Sequence, residues 1–496
     1  MDAKVESLPK YRMLIGGEWT EAASGECFET HNPYTGKAWA LIPRGGAADA
    51  ERAVQAAHRA FTGGEWPRLT ASQRGALLRK LGDLIGDKAE ELAQVEVRDN
   101  GKLYSEMRAQ TGYMAQWYYY FGGLADKVEG AVIPTDKKDT FNYTEHEPLG
   151  VVVAIVPWNS PLLLTAWKLA PALAAGNTVV IKPSEFTSAS LLEFVKLIEK
   201  AGFPPGVVNV VTGFGAEVGT RLVEHPLVAK IAFTGSDVTG QRIYEAAARG
   251  MKRVSLELGG KSPNIVFDDA DLDNAVKGAI SGIFAATGQT CIAGSRLLVQ
   301  RSIHDRFVDK LVAFAKTARI GDPMSIDTQV GPVTTPPQFQ KVLDYLDIAK
   351  SEGAKTALGG KRAEQFGGYF VEPTIFTGVK NSMRIAQEEV FGPVLAVIPF
   401  EDESDAIAIG NDVVYGLAAG VWTQSMRRAF TMAKRLQAGT VWVNTYRAVS
   451  YLSPFGGYKR SGIGRESGQE MIKEYLQTKS VWISMATEVP NPFVMR

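Results

Sequence analysis

The sequence predicts an α/β protein made of two successive α/β units, and three observations predict it. From Leu149, short β-branched runs alternate with helical ones: GVVVAIVP, PLLLTAWKLAPALAAGN, TVVIKP, SASLLEFVKLIEKAG, VVNVVTG, KIAFTGS and RVSLELGG. That alternation reads as consecutive βαβ units and a parallel sheet with right-handed crossovers. The runs VVVAIV and TVVI are continuously apolar, as strands buried on both faces are. After Gly260 a second series begins with PNIVF, a helix from Leu272, RLLVQ and a helix from Ile303, and continues in PVLAVIPF, GLAAGVW and AGTVWVN.

The remaining elements follow in order. Up to about residue 125, AADAERAVQAAHRAF and TASQRGALLRKLGDLIGDKAEELAQVEVRDNG carry apolar residues at helical spacing, so helices that cover a sheet are expected. Pro67 marks the break between them, and Thr70 or Ser72 caps the second. VEGAVIPTDKKDTFNYTEHEPLG is β-prone and polar on alternate residues, and KSVWISM is a strand without a following helix. Isolated strands of this kind pair with something distant, including another subunit.

At 496 residues the chain exceeds what one core serves, so two or more domains are expected. Lys+Arg and Asp+Glu both count 54, which gives no argument for nucleic acid or an anionic membrane as partner. Cys27 and Cys291 cannot build a disulfide framework, and MDAKVESLPKYRML has no basic segment followed by an apolar one. A reducing cytoplasm is the expectation. The longest apolar stretches are short of a bilayer span or interrupted by Lys168, and five histidines without ligand spacing suggest no metal site.

Several residues can carry chemistry, each with a structural alternative. TGFGAEVG, with Gly213, Gly215 and Gly219, and FTGSDVTG, with Gly235 and Gly240, follow strands and can offer N–H groups to a phosphate; they are equally ordinary turns. Lys182 and Glu185 in KPSE close a strand at its carboxyl end, where a lysine can hold ribose or phosphate and a carboxylate a ribose diol. Asn159 can donate to an oxyanion or cap the helix near Pro161. Glu257, in an apolar strand end before two glycines, suits a base of raised pKa or a structural salt bridge. Glu388, Glu389 and Glu466 lie beside glycines. Cys291, in FAATGQTCIAGSR, is either a buried inert thiol or a nucleophile whose pKa is lowered by approaching backbone N–H groups.

Together GVVVAIVPWNSP, KPSE, FTGS, LELGGKSPNIVFDDADLD, GQTCIAGSR, EEVFGP and SPFGGYKRSGIGRE resemble, in order and approximate spacing, the NAD(P)-dependent aldehyde dehydrogenase superfamily from about Met13 to Trp482. The resemblance implies a Rossmann-like cofactor domain at 1–128 with 149–257, an α/β catalytic domain at 258–435, a segment closing the active site at 436–474, and a β oligomerisation arm at 129–148 with 475–496. A homodimer or homotetramer is implied. Cys291 matches the nucleophile that forms a thiohemiacetal and then a thioester, Asn159 and the Cys291 N–H the oxyanion hole, Glu257 the base that activates water, and Glu466 a second carboxylate proposed to relay protons.

By the same resemblance Ile155, Trp158, Lys182, Ser184, Glu185, Gly215, Phe233, Gly235, Ser236, Leu258, Glu389 and Phe391 match cofactor contacts, and Glu185 implies NAD over NADP. Substrate-facing positions are Ser160, Leu164, Trp167, Ile292, Arg447, Val449 and Phe455, and Arg447 with Tyr446 suits a polar or acidic substrate by side-chain chemistry. Relatives that pass the acyl group to CoA lack the base that Glu257 matches, so hydrolytic release of the acid is expected. One departure stands near the nucleophile: many relatives have Asn where this chain has Ala286.

Overall fold

The structure, a computed structural model, describes residues 8–489 and 491–494. Residues 1–7, read for a leader, and residues 490, 495 and 496 of the expected arm lie outside the described residues.

Helix α1 (Ala71–Asn100) starts from a reciprocal cap: the Thr70 hydroxyl accepts from the Gln73 N–H at 3.3 Å, and the Gln73 side chain accepts from the Thr70 N–H at 2.8 Å. Ser72 is not the cap; its hydroxyl donates to Asp126 at 3.0 Å. The helix stops at Gly101, whose φ of 73° is the left-handed turn that glycine adopts without penalty. The chain turned by that glycine proves important to the site.

The first sheet is built on β1 (Val151–Ile155), β2 (Thr178–Lys182), β3 (Val208–Val210), β4 (Val228–Thr234) and β5 (Arg253–Glu257). Their order is β3-β2-β1-β4-β5, with every neighbour parallel. Helices α2 (Pro161–Ala174) and α3 (Asp237–Arg249) follow β1 and β4. β1 and β2 are buried almost throughout, in keeping with their unbroken apolar runs. Chain order reverses between β1 and β4, and at such a point the connections leave in opposite directions, opening a crevice at the carboxyl ends. Met13–Ile15 and Glu18–Thr20 extend one edge antiparallel, and Gly462–Ile463 pairs antiparallel with β5 at the other.

The second sheet has seven strands, among them Pro263–Val266, Arg296–Gln300, Val394–Phe400, Ala418–Trp422 and Thr440–Val443. Thr440–Val443 pairs parallel with Ala418–Trp422, so AGTVWVN joins this sheet as its pattern predicts, and the sheet runs past residue 435, where the resemblance ends the catalytic domain. Thr140–Pro148 and Leu476–Ser484 form a separate antiparallel ribbon, from Pro148 opposite Leu476 to Thr140 opposite Ser484. A helical turn, Gln469–Tyr475, leads directly into that ribbon.

Candidate active site

The crevice between β1 and β4 opens into a groove of about 730 Å³. Nine of the positions expected to touch cofactor line it: Ile155 and Trp158 after β1, Lys182, Ser184 and Glu185 after β2, Gly215, and Phe233, Gly235 and Ser236 after β4. Lys182 is buried and donates to Glu185 at 3.2 Å, so the carboxylate is held at the rim beside an ammonium. Burial lowers the Lys182 pKa, and Glu185 opposes that shift. Gly235 is required by space: a Cβ there would stand 2.4 Å from the Phe233 ring. Ser236 caps α3 by accepting from the Thr239 N–H at 3.3 Å, and a helix N-terminus facing a groove offers N–H groups to an anion. A groove lined by an acidic residue and a helix start fits a dinucleotide.

The other three expected contacts lie outside that lining. Leu258 packs at the end of β5, where a Cβ on Gly240 would meet it at 2.5 Å. Phe391 meets Trp158 edge to face at 5.3 Å. Glu389 accepts from the Gly260 N–H at 2.9 Å, and a Cβ on Gly259 would stand 2.5 Å from its carboxylate. The glycines after β5 therefore let this carboxylate approach the strand end.

Cys291 sits in a tight, half-buried loop. Ala286, Thr287 and Gly288 have φ of 53°, 54° and 69°, three consecutive left-handed residues. For the β-branched Thr287 this is strained backbone of the kind the surrounding structure must enforce. Position 286 is where Ala replaces the Asn of many relatives, and Asn tolerates this conformation better than Ala. The Ala286 N–H donates to Glu106 at 3.0 Å, and the Tyr446 hydroxyl donates to the Ile292 carbonyl at 3.0 Å. Tyr446 is thus turned inward to brace the loop, which corrects the expectation that it meets substrate.

The Asn159 amide donates to the Gln289 carbonyl at 2.9 Å, which sets it against the Cys291 loop. It does not cap the following helix; Ser160 holds that position and makes no capping bond. The N–H groups of Cys291 and Ile292 favour the thiolate, as expected, but burial and the carboxylates of Glu389 and Glu257 outweigh them and push the thiol up to about 12. The lowered pKa expected from the loop's small residues is therefore not found.

Glu257 ends β5 almost wholly buried, and neither carboxylate oxygen has a hydrogen-bond partner among the described residues. No salt bridge among the described residues claims it. Burial first, and Glu466 second, raise its pKa well above the usual carboxylate range, against the pull of Lys168 and Arg465. Glu466 is fully buried, as is Lys168 on α2, and the two are paired; the same ammonium donates to Thr234 at 2.7 Å. Gly456 leaves space for Glu257, since a Cβ there would come within 2.9 Å of its carboxylate.

Of the expected substrate positions, Trp167 and Phe455 are buried edge to face at 5.0 Å, and Trp167 stacks on Trp117 at 5.7 Å. Leu164 and Val449 are half-buried against the core, and Ile292 is buried beside the thiol. Arg447 has a left-handed φ of 66° and donates to the Ser281 carbonyl at 3.4 Å. Ser160 is buried and accepts from the ammonium of Lys102 at 2.9 Å.

Lys102 belongs to a network that sequence reading missed. Asn100 donates to the Asn159 carbonyl at 3.5 Å and accepts from the Lys102 N–H at 2.9 Å; its own carbonyl accepts from the Thr334 hydroxyl at 2.6 Å. The Thr334 N–H in turn donates to the Gln289 side chain at 2.8 Å. DNGK, at the carboxyl end of α1, thus ties the Asn159 turn to the Cys291 loop. Its glycine after a helix was visible as a stop signal, but nothing local shows what the turned chain touches. Also missed were Thr239, Arg242, Ile243, Ala246 and Arg249 of α3, which line the groove; their three- and four-residue spacing was the available signal.

A profile of the aldehyde dehydrogenase family matches residues 19–481. The (Z)-2-((N-methylformamido)methylene)-5-hydroxybutyrolactone dehydrogenase of Acinetobacter baylyi is 47% identical over 99% of this chain and 100% of its own length. The betaine aldehyde dehydrogenase of Staphylococcus aureus, solved in complex with NAD+, superposes with a TM-score of 0.96 at 43% identity, covering 98% of this chain and 96% of that one. The NAD+ complex of an aldehyde dehydrogenase from Bacillus cereus gives 0.95 at 46% identity, covering 98% and 99%. The chain belongs to the aldehyde dehydrogenase family.

Proposed function

We propose that this member of the aldehyde dehydrogenase family oxidises an aldehyde to its carboxylic acid through a thioester on Cys291, released by water that Glu257 activates. The observation that carries this is the convergence of donors on one thiol: the N–H groups of Cys291 and Ile292 favour its anion, and the Asn159 amide is pinned to the same loop. Burial holds Cys291 as a thiol near neutrality, so its proton leaves to solvent as the C–S bond forms, and Glu257, unbonded and of raised pKa, is kept for the water of the second half-reaction. The thiohemiacetal oxygen is held by Asn159 and the Cys291 N–H. The cofactor is NAD, which when bound accepts the hydride and is held by Lys182, Glu185, Ser236, Glu389 and the groove between β1 and β4. Loss of hydride from the thiohemiacetal carbon leaves the thioester. Water, losing its proton to Glu257, then displaces the sulfur and yields the acid. Glu466 and Lys168, a buried pair beside this carboxylate, pass that proton on.

The domain division follows the same reading: 1–128 with 149–257 hold the cofactor, the second sheet carries the nucleophile, 436–474 brings Phe455 and Glu466 to it, and the ribbon assembles subunits. The test is to mix protein, NAD and a panel of aldehydes and follow NADH absorbance. NADH forms in the native protein and is abolished in Cys291→Ala. No NADH from any aldehyde despite bound NAD, or substantial turnover by the variant, overturns the proposal.

A further inference from the structure

Among the described residues the Ser160 hydroxyl has a partner that donates to it and none that accepts from it. It lies one residue after Asn159, is only 5% exposed, and accepts from the Lys102 ammonium at 2.9 Å. An ammonium has donors and no acceptor, so the hydroxyl proton cannot point back at Lys102. Ser160 stands at the N-cap of α2, yet its side chain takes no part in capping. Among the described residues no acceptor is placed for this proton. Burying a donor unpaired costs more than the bond is worth, which implies that something else completes it.

Lys102 strengthens the donor. Its ammonium is buried just past Gly101, and burial lowers its pKa to about 8. The charges facing it are Glu106, Arg447, Glu96 and Cys291. Burial raises Glu96 to about 8, and Glu106 is bonded to the Ala286 N–H. A hydroxyl that accepts from a cation becomes a better donor, because hydrogen bonds in a chain polarise one another. Trp167 and Phe455, two of the other expected substrate positions, are nearly buried aromatics in contact with each other, so this hydroxyl is a polar point among expected contacts that are largely apolar.

We infer that the Ser160–Lys102 pair selects aldehydes bearing a hydrogen-bond-accepting oxygen, as ether, hydroxyl, carbonyl or carboxylate, within a few bonds of the reacting carbon. The inference rests on the aldehyde oxidation proposed above and names the substrate class of that same site. Ser160 follows directly on the residue that receives the aldehyde oxygen, and the Lys102 ammonium bonded to it lies close enough to Cys291 to feel its charge, which sets the pair near the reacting carbon. An ether oxygen is the cleanest probe, since it accepts and cannot donate.

The experiment compares kcat/KM for methoxyacetaldehyde and butanal, and for 3-methoxypropanal and pentanal, each corrected for hydration of the free aldehyde. The native protein is expected to favour at least one ether over its alkyl partner by about 10-fold, the value of one hydrogen bond in a dry site. Ser160→Ala is expected to bring that ratio to about 1, and Lys102→Met to an intermediate value. Should Ser160→Ala fail to fold, Ser160→Thr and Ser160→Val repeat the comparison with near-isosteric side chains, the hydroxyl variant keeping the preference and the methyl variant losing it. A ratio near 1 for both pairs in the native protein, or a preference that survives in Ser160→Ala or Ser160→Val, overturns the inference and leaves aldehyde oxidation standing. NADH from none of the four overturns the inference, and silence across the wider panel overturns the oxidation proposal as well.

Discussion

Cys291 and Glu257 both sit where burial favours their neutral forms, and turnover requires each to give up its proton. Glu257 serves as a base only when ionised, and its pKa lies well above the ordinary carboxylate range, so the ionised fraction grows only as pH rises above that range. Steady turnover limited by hydrolysis is therefore expected to climb with pH over that window. Glu257→Gln should leave a burst of NADH near one equivalent, slow the steady rate by about 100-fold and flatten the climb, all measurable by stopped-flow absorbance. Loss of the burst instead places Glu257 in acylation, as proton acceptor from the thiol. At this scale the motifs single out Cys291, Asn159 and Glu257, and the structure sets the Asn159 amide against the Cys291 loop. Lys102 was not, because a lysine after a helix-ending glycine reads as a solvated turn; only the folded chain shows it under Ser160.

At the scale of the element, the site is assembled from strand ends. β1 delivers Asn159, β4 delivers Thr234 to Lys168, and β5 delivers Glu257 followed by two glycines. The second of these is under the tightest demand: a Cβ on Gly260 would stand 2.5 Å from the Cys291 carbonyl. Gly260→Ala is expected to displace the nucleophile loop, lower stability by about 1–3 kcal/mol in denaturant unfolding and reduce the NADH burst rate at least as much as steady turnover. A variant with native burst kinetics refutes that coupling. The parallel strands were legible because buried β-branched runs of this length have few other uses. Gly462–Ile463 was not: a two-residue pairing with β5 has no period to detect and depends wholly on a distant partner.

For the whole molecule, the ribbon of Thr140–Pro148 and Leu476–Ser484 leaves Phe141, Trp482 and Ile483 exposed; residues 131–133 bridge one outer edge at Val132 and Tyr143, and the outer edge of Leu476–Ser484 has no strand neighbour among the described residues. Proteins cover such edges, and a second copy of the chain is the occupant proposed here. Trp482→Lys with Ile483→Lys is expected to shift the protein to a smaller species in sedimentation; an unchanged mass dismisses the ribbon as the interface. Glu466 lies on the short stretch that runs through the turn at Gln469–Tyr475 straight into this ribbon, and the same stretch is pinned to Phe455 by paired backbone bonds of 2.6 Å. A pull at the ribbon therefore has a covalent path to the buried carboxylate. Turnover per chain should then fall on dilution below the assembly threshold, making the protein's own concentration a throttle on its chemistry.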